Sequence, residues 1–269
     1  MSHIKQAFQN KKAFIPFITC GDPDLETSRH IILEAVKNGA SLIELGIPFS
    51  DPTAEGPVIQ AANIRALENG ITTTAILDFV KELRKEVTIP LVFMTYANVV
   101  YSYGIDRFLK ACQEAKMDGL ILADVPYEEK EEFQVPCQKY GLSFISLIAP
   151  TSKDRIKMIA KEAEGFIYVV SSLGVTGERE NIQTDLKSMI SEVRQVTDLP
   201  CAIGFGISTP DQAKEMAKLA DGVIVGSAVV KRIGQNGQKS PRVVGKYIQE
   251  MTSAIAELKE QDERSHISA

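Results

Sequence analysis

The sequence predicts an α/β fold from three features: short apolar runs, amphipathic segments between them, and eight repetitions of this pair. The runs are apolar almost without interruption, which is typical of strands buried on both faces of a parallel sheet. Such alternation allows a closed barrel or an open doubly wound sheet, and eight units within about 250 residues favour the barrel. We therefore predict a single (β/α)8 TIM barrel over residues 1–269, with extra short helices and a frayed tail over residues 260–269.

Glycine, proline and Asn-Gly pairs separate the elements in the first half of the chain. A polar leading helix covers residues 2–11, the first strand ends at the turn Cys20–Pro23, and Asn38-Gly39 ends the first amphipathic helix. The predicted strands are Phe14–Thr19, Leu42–Leu45, Pro90–Thr95 and Gly119–Asp124. The predicted helices are Leu25–Lys37, Val58–Glu68, Thr73–Glu86, Gly104–Lys116 and Glu128–Tyr140.

The second half of the chain continues the same alternation, with one exception, a long polar loop over residues 171–184. The last two strands run directly into glycines, Gly204 and Gly226. The predicted strands are Ser143–Ile148, Phe166–Val170, Cys201–Ile203 and Gly222–Val225. The predicted helices are Asp154–Glu162, Leu186–Thr197, Asp211–Leu219 and Pro241–Leu258.

Composition argues against several classes of protein. The net charge of −5 argues against a surface for nucleic acid or for an anionic membrane. The sequence has neither an apolar signal region at its start nor an apolar run long enough to span a bilayer, so a cytoplasmic location is expected. The widely spaced cysteines fit free thiols in a reducing compartment better than disulfides or a metal site. They are Cys20, Cys112, Cys137 and Cys201.

The stretch Ile43–Pro57, which reads IELGIPFSDPTAEGP, is the most informative part of the sequence. It begins as an apolar strand that contains Glu44, and its glycines and prolines prevent a regular element until a helix starts near Pro57. A carboxylate in an apolar strand is unfavourable unless it is solvated at the strand end or used in chemistry. Glu44 is therefore either a strand-end acid that caps a neighbouring backbone or a catalytic group. Asp51 and Glu55 add two further carboxylates on the loop.

The ends of the last two strands predict an anion site, because barrels of this class bind phosphate at the C-terminal ends of their strands. The seventh strand ends in Gly204-Phe-Gly206 and the eighth in Gly226-Ser227, where glycines let backbone N–H groups approach an anion. A short helix that starts at Ser227 would add its N-terminal dipole. Neither strand end carries an arginine or lysine, so these dipoles would replace a formal charge. Tight turns would explain each motif singly, whereas the pair favours phosphate binding.

The residue types at the strand ends restrict the chemistry. No lysine lies at a strand end, which disfavours a Schiff-base aldolase, and His3, His30 and His266 are too dispersed for a catalytic or metal cluster. No GxGxxG motif follows the first strand. Carboxylates remain for acid–base work, with Glu44 and Asp124 at strand ends. Residues that can wall a pocket for a flat apolar group, or can simply pack the core, are Phe17, Phe49, Tyr96, Ile121, Tyr168 and Phe205.

Taken together, these motifs resemble the tryptophan synthase alpha subunit family. The resemblance runs in order from about Phe14 to about Lys231 and includes nearly every barrel loop, so no single motif carries it. The segments that resemble the family are Phe17–Pro23, Ile43–Gln60, Tyr96–Asn98, Ala123–Pro126, Ser171–Gly177, Gly204–Ile207 and Gly226-Ser227.

The resemblance implies a lyase of tryptophan biosynthesis that cleaves indole-3-glycerol phosphate to indole and glyceraldehyde 3-phosphate. It implies no cofactor in this chain, because pyridoxal phosphate belongs to the beta subunit, with which the family forms an α2β2 complex. Asn98 and Pro126 fall in loops that face the beta subunit in the family.

The resemblance also assigns roles within the site. Glu44 would be the principal acid and base, and Glu55 falls at the position of the family's second catalytic acid. Asp51 and Thr176 would contact each other when the lid after the sixth strand closes, and so link the loops. The residues expected to bind the substrate are Phe17, Tyr96, Ile121, Tyr168, Thr176, Gly177, Phe205, Gly206, Gly226 and Ser227.

Two positions depart from the family pattern. Glu55 replaces an aspartate, which keeps the charge on a side chain one methylene longer, and displacements of about 1 Å can lower a rate roughly a hundredfold. The segment Ser171–Leu173 lacks the basic residue often present in the lid. Alternatives to the alpha-subunit lyase are a stand-alone lyase that releases free indole, a weakly active activator of a beta subunit, and a phosphosugar isomerase. Glu44 counts against an activator, and the lack of strand-end lysine or histidine disfavours the isomerase.

Overall fold

The computed structural model describes residues 3–9, 11–171, 179–204 and 206–267, without the side chains of residues 153, 179–185 and 259–267. In these residues, helices surround one parallel sheet. The described strands are β1 Ala13–Thr19, β2 Ile43–Gly46, β3 Leu91–Thr95, β4 Gly119–Leu122, β5 Ser143–Phe144, β6 Ser146–Ile148, β7 Ile167–Val170, β8 Cys201–Gly204 and β9 Gly222–Val225.

The sheet closes on itself. All pairings between neighbouring strands are parallel, in the order β5-β4-β3-β2-β1-β9-β8-β7-β6. The two terminal strands of this order, β5 and β6, are pieces of one segment separated only by Ile145. The Ile145 N–H donates a hydrogen bond to the carbonyl of Leu120 on β4, while β6 pairs with β7. The predicted (β/α)8 barrel is therefore confirmed, with its fifth strand split in two.

Helices follow the strands along the described part of the chain. The α-helices are α1 Leu25–Lys37, α2 Pro57–Glu68, α3 Thr73–Leu83, α4 Ala97–Tyr103, α5 Ile105–Glu114, α6 Glu131–Lys139, α7 Ile156–Lys161, α8 Arg179–Arg194, α9 Pro210–Leu219, α10 Ser227–Asn236 and α11 Ser240–Ile267. Short 3-10 helices cover His3–Phe8, Tyr127–Glu129, Pro150–Arg155 and Gly237–Lys239.

Three helices differ most from the sequence prediction. α4 lies where no helix was expected, and Asp124, far along the chain, accepts a hydrogen bond from the Ala97 N–H at its start. α8 begins at Arg179, so the polar loop that was predicted to reach Thr184 ends earlier. The first turns of α8 lack apolar periodicity, but their arginine, glutamate and glutamine residues are good helix formers. α11 continues to Ile267, beyond its predicted end, and fraying of residues 260–269 stays a prediction.

Two layers of apolar side chains cover the strands. The cluster inside the barrel consists of Ile4, Ala7, Ala13, Ile15, Leu42, Val92, Ile121, Ile145, Phe166, Tyr168, Ala202 and Ile224. Ile4 and Ala7 belong to the leading 3-10 helix, which closes the N-terminal end of the barrel. A larger cluster fills the space between sheet and helices. Because strand side chains alternate between the layers, inward-facing residues near the C-terminal strand ends point toward the barrel mouth.

Candidate active site

A cavity of about 560 Å³ opens at the C-terminal ends of the barrel strands. Its volume lies in the usual range for a small-molecule site. The residues that line it are Phe17, Glu44, Ala54, Glu55, Gly56, Val58, Ile59, Met94, Tyr168, Gly206, Ile207, Ser208, Ile224, Gly226, Ser227, Ala228, Lys231 and Arg232. The structure thus brings together seven residues that were predicted for the site: Phe17, Glu44, Glu55, Tyr168, Gly206, Gly226 and Ser227.

Glu44 is a buried carboxyl group at the mouth of the barrel. Its exposed fraction is 0%, and it lies on β2 beside Phe17 of β1. Neither of its carboxyl oxygens has a hydrogen-bond partner among the residues that the structure describes. Burial raises the pKa of Glu44 to about 8, because loss of hydration disfavours the charged form. At neutral pH the side chain is therefore mostly a protonated acid that faces the cavity.

Tyr168 on β7 shares this space with Glu44. Burial raises the pKa of Tyr168 well above its usual value, and the negative charge that Glu44 can carry raises it further, so the phenol stays neutral. Gly204 at the end of β8 makes room for the phenol, since a Cβ atom there would lie 2.5 Å from the Tyr168 hydroxyl oxygen. Gly204 is thus required for close packing rather than for a turn.

Glu55 lies on the loop after β2, immediately before α2. Asn63 of α2 donates a hydrogen bond from Nδ2 to Oε2 of Glu55 at 2.8 Å, and Gln60 donates from Nε2 to the Glu55 carbonyl at 2.7 Å. The Ala54 N–H donates to the Tyr96 hydroxyl at 3.1 Å, which anchors the same loop. Burial raises the pKa of Glu55, and the bond from Asn63 opposes that rise because it favours the ionised form.

The predicted anion site lies at the start of α10. Gly226 is the N-cap and Ser227 the first residue of this helix, and both line the cavity where the first backbone N–H groups lack partners within the helix. Gly206, after β8, has φ +75°, which glycine adopts more readily than any other residue. Ser208 on the same loop is held by Tyr247, whose hydroxyl donates to its carbonyl at 3.0 Å. The role of Gly206, Gly226 and Ser227 in anion binding stays a prediction.

Two cations of α10 also line the cavity, and they were not predicted because they lie within a helix and not at a strand end. Lys231 and Arg232 lie about one turn inside the helix. Because side chains of a helix point toward its N-terminus, residues one turn after Ser227 could have been predicted to reach the cavity. The Arg232 guanidinium donates to the Ala228 carbonyl at 2.7 Å and lies over the Tyr247 ring, 3.5 Å from its centroid. Formal positive charge therefore supplements the backbone dipoles at this end of the cavity.

The apolar wall of the cavity differs in part from the expected one. Tyr96 is buried, and its ring centroid lies 5.2 Å from that of Phe49. Ile121 belongs to the cluster inside the barrel. Tyr96, Phe49 and Ile121 are not among the described residues that line the cavity. The substrate-binding roles of Tyr96 and Ile121 stay predictions. Apolar lining residues that the sequence did not reveal are Val58, Ile59, Met94, Ile207 and Ile224. Of these residues, only Met94 and Ile224 lie on strands, so only they could have been predicted to face the barrel interior from the alternation of side chains.

Other predicted residues lie at the rim or outside the described residues. Asp51 is exposed and accepts a hydrogen bond from the neighbouring Ser50 hydroxyl, and its link to the lid stays a prediction. Asp124, considered as a strand-end acid, is exposed and bonds the first N–H of α4. Three further predicted residues, Thr176, Gly177 and Phe205, fall outside the described part of the chain.

The remaining observations concern the cysteines, possible metal ligands and the helices. Cys20, Cys112, Cys137 and Cys201 are free, buried thiols, as predicted. Burial raises the pKa of Cys20 and of Cys137 to about 12, so these thiols stay protonated. Among the described residues, no group of three or more His, Cys, Asp or Glu side chains is arranged to hold a metal ion. No described helix combines the length and the apolar character needed to cross a membrane.

The fold and the cavity together define a class of protein. A buried acid, a second carboxylate, an apolar wall and the N-terminus of a helix meet at the C-terminal end of a TIM barrel. This arrangement is that of an acid–base enzyme for a substrate that joins a flat apolar group to a phosphate.

Comparison with known proteins identifies the family. The family model of the tryptophan synthase alpha chain matches residues 3–260. The sequence is 48% identical over 255 residues to the tryptophan synthase alpha chain of Lacticaseibacillus casei, across 95% of this chain and 96% of that one. It is 47% identical over 252 residues to that of Thermoanaerobacter sp. (strain X514), across 94% of both. The crystal structure of tryptophan synthase subunit alpha from Legionella pneumophila str. Paris superposes with a TM-score of 0.87 at 37% identity, across 96% of this chain and 99% of that one.

This chain belongs to the tryptophan synthase alpha chain family. Members of the family are lyases of tryptophan biosynthesis that cleave indole-3-glycerol phosphate. The resemblance seen in the sequence is therefore confirmed, and with it the class of enzyme. The name of the family also implies a beta chain as partner.

Proposed function

We propose that this chain cleaves indole-3-glycerol phosphate with Glu44 as the principal acid and base and Glu55 as the second catalytic carboxylate. The observation that carries the proposal is the burial of Glu44 without a partner among the described residues, in the cavity that Glu55 also lines. Burial raises the pKa of Glu44 to about 8. A carboxyl group that titrates near the working pH can both donate and accept a proton within one turnover.

The reaction is a retro-aldol cleavage. Protonated Glu44 donates its proton to indole C3, which converts the ring to a positively charged indolenine. The Glu44 carboxylate then accepts the proton of the C3′ hydroxyl while the bond between C3 and C3′ breaks. The electrons of that bond return to the ring, the C3′ carbon becomes the aldehyde of glyceraldehyde 3-phosphate, and Glu44 regains its starting protonation state.

Glu55 acts by electrostatics rather than by proton transfer. Positive charge on the indolenine lies largely at N1, and an ionised carboxylate beside the N1–H stabilises it. The bond from Asn63 favours the ionised form of Glu55, whereas Glu44 has no such donor among the described residues. Burial raises the pKa of both carboxyl groups, but only that of Glu55 has an opposing hydrogen bond from a described residue, so the two environments differ as they commonly do in acid–base pairs of enzymes.

The cavity holds the substrate by its two ends. Phe17 and Tyr168 offer apolar contact to the indole, and the amides at Gly206 and Ser227, with the charge of Lys231, suit the phosphate. Fixing both ends restricts the motion of the bond to be broken, which lowers the entropy barrier to reaction.

The family name implies a beta chain, and we extend the proposal to an α2β2 complex to which this chain supplies indole. Asn98 on α4 and Pro126 after β4 are exposed at the same end of the barrel as the cavity, which suits a partner docked over its mouth. Asp51 and Thr176 would link the loops to that partner. In this proposal the chain uses no cofactor of its own, pyridoxal phosphate is bound by the beta subunit, and the complex acts in the cytoplasm.

The test is indole formation from indole-3-glycerol phosphate, measured with and without a beta subunit. We expect indole in both cases and a higher rate with the partner. A rate that the partner leaves unchanged would favour a stand-alone lyase that releases free indole. Wild-type activity no higher than that of Glu44→Gln would favour an activator of the beta subunit. Binding of glycerol 3-phosphate, measured separately, reports the anion site without the chemistry.

A further inference from the structure

The carboxylate of Glu55 is held in one position although its side chain is one methylene longer than the aspartate of the family pattern. Its Oε2 accepts a hydrogen bond from Asn63 Nδ2 at 2.8 Å. We propose that Asn63 is a positioning residue that fixes the Glu55 carboxylate for the indole nitrogen of the substrate, and so lets a glutamate serve where an aspartate is expected. The inference rests on the role of Glu55 in the proposed function.

Asn63 suits this role because its own position is well defined. It is 4% exposed and lies on the face of α2 that also buries Ala62 and Ala66. Helical side chains lean toward the helix N-terminus, so Asn63 is directed back toward the loop that carries Glu55. A buried side chain packed among such neighbours has few alternative rotamers. The amide is therefore a fixed donor for the carboxylate.

The same contact accounts for the additional methylene. Glu55 precedes α2 and Asn63 lies in its second turn, so the glutamate side chain has to extend beside the start of the helix to reach the amide. An aspartate carboxylate would end about 1.5 Å short, the length of one C–C bond. Among the described residues the bond to Asn63 is the only one to the Glu55 carboxylate, and it occupies Oε2. Oε1 is left to accept a bond from the indole N1–H.

Other contacts hold the backbone of the loop. Gln60 donates to the Glu55 carbonyl at 2.7 Å, and the Ala54 N–H donates to the Tyr96 hydroxyl at 3.1 Å. These bonds fix the main chain without touching the carboxylate. Gln60→Ala is therefore a matched control for Asn63→Ala, since each removes one side-chain hydrogen bond to Glu55.

Steady-state indole formation at a saturating concentration of beta subunit tests the inference. Asn63→Ala should lower kcat about tenfold to a hundredfold, as expected for a catalytic group displaced by about 1 Å. Its KM and its affinity for glycerol 3-phosphate should stay within a few-fold of wild type, because the anion end of the cavity is unchanged. Gln60→Ala should change kcat by about threefold or less.

The pH profile separates positioning from a loss of stability. Without the amide donor, burial acts unopposed on Glu55, so its pKa should rise and the acid limb of kcat should move to higher pH in Asn63→Ala. The isosteric Asn63→Asp should move it further, because a second carboxylate disfavours ionisation of the first. The other titratable or charged groups around Glu55 are the same in all variants: Glu44, Tyr96, Asp124, Tyr168, Lys231 and Arg232.

A double mutant makes the outcome decisive. Asn63→Ala should have no further effect on kcat in a Glu55→Ala background, because the two residues act as one unit. Wild-type kcat in Asn63→Ala, beside a strongly impaired Glu55→Ala, would overturn the inference and leave the role of Glu55 intact. Wild-type kcat in Glu55→Ala would instead contradict the proposed function. If Asn63→Ala does not fold, the near-isosteric Asn63→Leu takes its place with the same expected results.

Discussion

Two buried carboxyl groups at opposite ends of the barrel, Asp118 and Glu44, differ in their hydrogen bonding. At the N-terminal end, Asp118 precedes β4 and accepts hydrogen bonds from the Arg84 guanidinium at 2.5 Å and from the Leu91 N–H at 3.0 Å. At the C-terminal end, Glu44 is fully buried and has no partner among the described residues. Pairing, rather than depth, distinguishes the acid that holds the structure from the acid that is available for chemistry.

The difference follows from the free energy of burying charge. A buried carboxylate with an arginine partner has its charge compensated, and removing the partner is strongly destabilising. A buried carboxyl group without a partner keeps its proton to higher pH, which suits a general acid but does nothing for stability. Of these two residues, Asp118 is therefore a structural acid, and Glu44 is the acid available for chemistry.

The largest effect is expected from Glu44→Gln, which keeps the shape of the side chain and removes the titrating group. We expect kcat for indole formation to fall ~10²–10⁴-fold, the usual contribution of a general acid or base. The affinity for glycerol 3-phosphate, measured by calorimetry, should stay within a few-fold, because the anion end of the cavity is untouched. Turnover within a few-fold of wild type would remove Glu44 from the mechanism.

The opposite end of the barrel should respond in stability instead of activity. Arg84→Met leaves Asp118 buried without its partner, so the free energy of unfolding in urea should fall by ~3–5 kcal/mol. The rate of indole formation, measured well below the unfolding temperature, should stay within a few-fold. Lys85→Met is a matched control that removes the exposed Lys85–Glu82 pair, and should change stability by about 0.5 kcal/mol or less. Equal losses of unfolding free energy in both variants would show that burial of the Arg84–Asp118 pair does not determine its contribution to stability.

Substitutions of Glu55 should have intermediate effects. Glu55→Ala should lower the rate of indole release about a hundredfold, because the indolenine charge loses its partner. Glu55→Asp should lower it about tenfold, although it restores the family residue, because the shorter side chain misses both Asn63 and the indole nitrogen. Both are measured with saturating beta subunit. A clear gain in Glu55→Asp would mean that Glu55 is a damaged site and would favour an activator.

The smallest effects are expected at the anion end. Gly206→Val should weaken glycerol 3-phosphate binding about tenfold or more, because φ +75° disfavours valine and its side chain would occupy the place of the anion. Lys231→Met should weaken it about two- to fivefold, and the difference should vanish at high salt because an exposed charge is screened. Unchanged binding in Gly206→Val would place the anion site elsewhere.

The sequence predicted those features that local patterns determine. Continuous apolar strands, alternating with helices, were enough for the barrel. A carboxyl group within the apolar run of β2 was enough to single out Glu44, and the glycines after β8 and β9 that were selected, Gly206 and Gly226, line the same cavity. In each case the physical reason lies within a few residues of the chain.

The features that were missed depend on contacts between distant residues. α4 starts where Asp124 bonds the Ala97 N–H, and neither residue signals this alone. In the sequence, Asn63 is one polar residue of an amphipathic helix, and its hydrogen bond to Glu55 forms only in the folded chain. Lys231 faces the cavity only because α10 starts at the barrel mouth. Partners of this kind follow from tertiary packing, which the local sequence does not specify.

The most direct test is a titration of Glu44 itself. The 13C NMR signal of its carboxyl group, in a glutamate-labelled chain and assigned by its absence in Glu44→Gln, reports the protonation state of this one side chain. Because burial raises its pKa from the usual 4.5 to about 8, the signal should titrate near that pH, and kcat should fall above it as Glu44 loses the proton that it donates. A signal that titrates near pH 4.5, and does not change at neutral or alkaline pH, would contradict the claim that Glu44 is a buried, protonated acid.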